Sequence, residues 1–95
     1  MMPPSMMPLC SFTLYGTSAC HLCDAAKALF LGVVPTDIAL LQEADISASD
    51  ALMARYGLRI PVLLGVTAKG ETRELGWPFT AVDVGEFVDA VMEAV

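Results

Sequence analysis

Hydrophobic and polar positions change period several times along the chain. Ser11-Phe12-Thr13-Leu14-Tyr15 is rich in β-formers and ends at Gly16, which predicts a strand. After the short turn from Gly16 to Ala19 the period becomes helical, with Leu22, Ala25, Ala26, Leu29, Phe30 and Val33 on one stripe. A helix starting near Cys20 and ending before Pro35 follows. Residues Ile38 to Ala44 form a weaker strand pattern. Ser47 to Arg55 reads as a helix that Ser47 can cap, with Asp50 in its first turn and Gly57 as its stop. Ile60-Pro61-Val62-Leu63-Leu64-Gly65 is an apolar, β-branched run, hence a buried strand. Pro61 lacks an amide hydrogen, so it belongs at the first residue of that strand. Glu71 to Leu75 reads as the second arm of a hairpin turning at Lys69-Gly70. Val84, Phe87, Val88, Val91, Met92 and Val95 form the apolar stripe of a last helix, with Asp83, Glu86, Asp89 and Glu93 facing outward.

The resulting order is β-α-β-α-β-β-α, an α/β fold with a four-stranded mixed sheet and helices on both faces. Helices between the first three strands imply that these run parallel through right-handed crossovers, while the hairpin makes the last strand antiparallel. Residues 1–9, Met- and Pro-rich, read as a flexible tail, and 10–95 as one domain.

Composition narrows the function. The chain has 95 residues, 56% of them hydrophobic, and a mean hydropathy of +0.63, so it carries a core rather than disorder. Its longest apolar run, Ala28 to Val34, is broken by Gly32 and falls far short of the ~20 residues that span a bilayer. Five Lys and Arg stand against eleven Asp and Glu, a net charge of −6 that repels phosphate backbones and anionic lipid. Neither nucleic acid nor a membrane is therefore expected as a partner. The first residues lack the charged start of a signal peptide, which points to a cytoplasmic protein. A monomer is expected.

Three cysteines suggest a working pair and a spare, Cys10. The pair is Cys20-His21-Leu22-Cys23, placed after a strand and at the opening of a helix. Two intervening residues bring the sulfurs within disulfide reach across the first helical turn. The helix dipole favours a thiolate at Cys20 by roughly 0.3–1 kcal/mol, up to ~2 when partly buried. His21, when protonated, would lower the thiol pKa further. Cys23 lies deeper in the turn, so Cys20 is the expected nucleophile and Cys23 the resolving thiol. Other readings stay open: His21 as a metal ligand or a merely exposed turn residue, and Asp24 as a first-turn acid or a proton acceptor for Cys23. Cys20 and Cys23 could also form half a zinc or iron–sulfur site completed in a dimer.

Strand, Cys-x-x-Cys, helix and a later Ile60-Pro61 resemble the thioredoxin superfamily. Gly16 to Cys23, Arg55-Tyr56-Gly57-Leu58-Arg59-Ile60-Pro61-Val62-Leu63 and Glu74-Leu75-Gly76-Trp77-Pro78-Phe79 resemble the small bacterial glutaredoxin-like proteins, over about residues 11 to 93. The resemblance implies the minimal thioredoxin (glutaredoxin-like) fold and dithiol thiol–disulfide exchange, acting on protein or glutathione mixed disulfides. It also implies that Pro61 is cis and lies against the disulfide, and that Ile60 offers its backbone to the substrate. Trp77 is expected to pack, and could line the substrate groove. The chain departs from typical glutaredoxins in His21-Leu22 between the cysteines, in Thr17, and in Gly76-Trp77-Pro78-Phe79-Thr80 near the last helix. Arg59 and Arg55 are the nearby cations that could meet the two carboxylates of glutathione. The departures argue against glutathione as reductant, and leave the reductant unidentified. No bound cofactor or metal is expected. A metal or iron–sulfur carrier and a non-catalytic binding module of the same fold are the alternatives.

Overall fold

The computed structural model describes residues 10–94. The expected tail at 1–9 and Val95 of the last stripe lie outside the described residues. In chain order the elements are β1 (Ser11–Gly16), α1 (His21–Val33), β2 (Leu41–Asp45), a 3₁₀ turn (Ile46–Ala48), α2 (Asp50–Tyr56), β3 (Val62–Val66), β4 (Thr72–Gly76) and α3 (Ala81–Glu93). The strands form one mixed sheet in the order β2-β1-β3-β4.

Alternation in β1 divides its residues between two faces. Phe12 and Leu14, with Leu63 of β3, point into a core closed by Ala26, Phe30 and Val34 from α1 and by Val84, Val88 and Val91 from α3. Phe12 lies 5.6 Å from the Phe30 ring and 6.4 Å from that of Phe87. Tyr15 and Val62 point the other way and pack with Ile46 and Tyr56. Tyr15 and Tyr56 stack at 4.6 Å. So α1 and α3 cover one face and α2 the other. In the β3–β4 hairpin, the Thr67 hydroxyl accepts the Glu71 amide and Gly70 sits at φ +86°, a conformation glycine enters without steric cost.

Several expectations need correction. β1 and β2 are parallel, but β3 runs antiparallel to β1, pairing Tyr15 with Val62 and Ser11 with Val66. The reason is length. A helix of seven residues spans about 10 Å, less than the roughly 16 Å of a five-residue strand. The chain thus enters β3 at the end of the sheet where it left β2. Nor is 47–55 one helix. Ser47 lies in the 3₁₀ turn, bonded to Asp45, and Ser49 caps α2 by accepting the Leu52 amide at 3.2 Å. Gly57 does end α2, but at φ −54°, in the ordinary right-handed region. β2 starts only at Leu41, Ile38 is exposed, and Pro61 immediately precedes β3. Leu22, Ala25 and Met92 are exposed because the buried stripes are narrower than the sequence stripes. Asp83 is half-buried in a capping box with Thr80 rather than simply outward-facing.

Candidate functional site

Register brings three distant segments together. Tyr15, Val62 and Gly76 are successive partners across β1, β3 and β4. Residues 17–23, 59–61 and 77–79 therefore leave the sheet at the same end. There the Trp77 amide donates to the Pro61 carbonyl at 3.2 Å.

Cys20 is the N-cap of α1, and Cys20 and Cys23 are joined as a disulfide with Cα atoms 5.2 Å apart. The Cys23 amide donates to Cys20 Sγ at 3.1 Å, so the sulfur occupies the place where side-chain oxygens normally cap a helix. A thiolate at that point meets unsatisfied amides and the positive end of the helix dipole. Cys20 is half-buried, whereas Cys23 keeps only 7% of its surface exposed. Cys23 fits because Gly16 leaves room for it: a Cβ on Gly16 would lie 2.6 Å from Cys23 Sγ. A cleft of about 260 Å³ adjoins Cys23, bordered also by Thr17, Ser18, Asp24, Glu43 and Asp45.

His21 opens α1 and is exposed, as is Asp24. The Ile60–Pro61 peptide is cis, and so is Trp77–Pro78. Pro61 is buried and Ile60 half-buried. Trp77 is half-buried, edge-on to Phe79 with ring centres 5.0 Å apart. Arg59 is exposed and bound by Glu74. Cys10 is a free thiol remote from the pair, donating weakly to the Val91 carbonyl at 3.5 Å.

Comparison with known proteins fits this picture. Residues 11–89 match the Glutaredoxin-like domain (DUF836) family. The chain belongs to that family. Among solved structures, a Northeast Structural Genomics target from X. campestris, XcR50, is 36% identical, with a TM-score of 0.68 over 86% of this chain and all of that one. A mutant thioredoxin from Halobacterium salinarum is 19% identical, with a TM-score of 0.69 over 90% of this chain and 77% of that one. A secreted Mycobacterium tuberculosis disulfide oxidoreductase is 15% identical, with a TM-score of 0.61 over 90% and 84%. The last two likenesses show the thioredoxin-like fold. No curated protein matches the chain. Within this glutaredoxin-like domain, the Cys-x-x-Cys disulfide is consistent with thiol–disulfide oxidoreductase chemistry. Among the described residues no helix is long and apolar enough to cross a membrane.

Two residues, Gly16 and Glu74, entered the sequence reading only within the segments that carry the family resemblance, with no role of their own. Gly16 reads in sequence as a strand end and the start of the turn before the dithiol, with nothing to show its contact with Cys23. Glu74 lies 15 to 19 residues from the partners it binds, and only the sheet register reveals the contact. Its Oε2 accepts from the Tyr56 hydroxyl at 2.6 Å and from Arg55 at 3.2 Å, and its Oε1 accepts from Arg59 at 3.0 Å. The Tyr56 hydrogen bond, then the two arginines, hold the Glu74 carboxyl below its usual range against the opposing effect of burial. Burial, then Glu74, pushes the Tyr56 phenol up to about 12.

Proposed function

We propose that the protein is a dithiol thiol–disulfide oxidoreductase. The Cys20 thiolate attacks a substrate disulfide, forms a mixed disulfide and expels the first substrate thiolate. Cys23 then loses its proton, attacks Cys20 Sγ and expels the second thiolate. The substrate gains two electrons, and Cys20–Cys23 becomes a disulfide that a cellular reductant must reopen. The carrying observation is the asymmetry of the pair: Cys20 is the more open, at the helix cap, while Cys23 is buried against Gly16. Ile60, Pro61 and Trp77 leave the sheet at the same end and are assigned to the substrate groove. His21 is assigned the tuning of Cys20, as an exposed neighbour able to carry positive charge. A disulfide-bearing protein is the proposed substrate, and the protein would act as a cytoplasmic monomer.

Substitution of the resolving thiol tests this order of events. Cys23→Ser mixed with a disulfide substrate should accumulate a mixed disulfide, mapped by mass spectrometry to Cys20 rather than Cys10. Cys20→Ser should give none at that site. An unreactive Cys20 in Cys23→Ser would refute the assignment.

A further inference from the structure

Resting on that exchange reading, we propose that Glu74 weakens the protein's attraction for anionic disulfides by holding the guanidinium groups of Arg55 and Arg59. Arg59 is two residues from Pro61, so its Cα lies within about 7 Å of the proline. Arg55 precedes it by one turn, at the end of α2. Left free, these cations would meet a carboxylate-bearing thiol at the rim. Instead one carboxylate engages both of them and the Tyr56 hydroxyl as well. Their guanidinium carbons lie over the Tyr56 ring, 5.4 and 5.6 Å from its centre, which fixes them further.

The remaining lysines and arginine offer no substitute. Lys27 pairs with Glu43 at 2.9 Å and Arg73 with Glu71 at 3.7 Å. Lys69, the last of the five, sits in the β3–β4 turn at the opposite end of the sheet. On the other side of the dithiol, the cleft against Cys23 is bordered by Asp24 and Asp45, and by Glu43, whose charge Lys27 balances. With Glu74 in place the Arg55–Arg59–Glu74 group carries one net positive charge rather than two, so an anionic disulfide is attracted less than it would be by free guanidinium groups, whereas a neutral one is indifferent to the difference. Glutathione conjugates belong to the class that Glu74 disfavours; protein disulfides flanked by lysine or arginine belong to the one it favours.

The test uses pre-reduced full-length protein and single-turnover rate constants with three disulfides. Oxidised glutathione is anionic, 2-hydroxyethyl disulfide neutral and cystamine cationic, each referred to its rate with dithiothreitol. Glu74→Gln keeps an acceptor for Tyr56 and removes the charge. It should raise the oxidised-glutathione rate several-fold, the order expected when one unit charge acting on a doubly charged ligand through high dielectric is removed. The 2-hydroxyethyl disulfide rate should not change, and the gain should vanish near 1 M salt, where the Debye length is about 3 Å. Leu58 is fully exposed, so Leu58→Lys adds a cation beside Arg59 without touching the core, and should likewise speed oxidised glutathione selectively. Equal changes for all three disulfides, or no change with oxidised glutathione in either variant, would overturn the assignment of Glu74 while leaving the exchange reading intact. A wild-type protein that reacts with none of the three would overturn both.

Discussion

Replacing Gly16 by alanine places a methyl group where the Cys23 sulfur already is. Gly16 is buried at the end of β1, and its φ is not positive, so the backbone itself accepts alanine. The obstacle is steric. The added Cβ would lie 2.6 Å from Cys23 Sγ and 3.1 Å from Cys23 Cβ. Ordinary contact needs about 3.5 Å or more, so something must move by about 1 Å. Overpacking of this kind costs about 1–3 kcal/mol. In the oxidised protein the sulfur is tethered to Cys20 and cannot swing away, whereas in the reduced protein Cys23 can change rotamer. Most of the cost therefore falls on the disulfide form. If all of it does, the midpoint potential rises by about 20–65 mV, at 30 mV per 1.4 kcal/mol for a two-electron couple. The assay is a titration in glutathione redox buffers read by intact mass, with denaturant unfolding of each redox form alongside. Gly16→Ala should be a stronger oxidant, destabilised mainly when oxidised. An unchanged midpoint with equal destabilisation of both forms would refute the reasoning.

Gly65→Ala provides a contrast, because its added Cβ meets Val91 Cγ2 at 2.7 Å and the Phe87 ring at 3.2 Å, between β3 and α3. It should cost about 1–3 kcal/mol in both redox forms, as overpacking does, and leave the midpoint alone; a shift in the midpoint would contradict this. The Glu74–Tyr56 pair should shape the pH dependence of unfolding. Glu74 has a lowered folded pKa, so its contribution is complete above the unfolded value of 4.5 and is lost as pH falls through the folded one. Tyr56 has a raised folded pKa, so its contribution is complete below 10 and is lost as pH climbs toward about 12. Denaturant midpoints across both windows check this, and Tyr56→Phe should flatten the alkaline limb.

Local signals carried most of the fold. The alternation of β1, the helical stripe of α1 and that of α3 were legible because each is a single element burying one face. The direction of β3 was not, because it depends on how far a short helix reaches relative to a strand. Ser47 and Ser49 are both able to cap a helix, and only the hydrogen bonds distinguish them. Exposed Leu22 and Met92 lie on the margins of their stripes, where period alone cannot say how wide the buried contact is. At the site, the position of the dithiol at a helix start was readable from Cys20 and Cys23. The Glu74 contacts and the clearance above Gly16 were not, since both are relations between segments that meet only in three dimensions.

The segments meeting at this end of the sheet divide the labour unequally. The sulfur chemistry is written in one contiguous stretch, Gly16 to Cys23, which contains the dithiol, its helix cap and its clearance. The surfaces beside it come from residues 59–61 and 76–79, joined to each other by the Trp77–Pro61 hydrogen bond and to Glu74 through Arg59. On the proposed function, reactivity and recognition are thus inherited on separate pieces of text. Drift in the first would retune electron affinity while partners stay the same, and drift in the second would redirect the protein to new partners without touching its thiols.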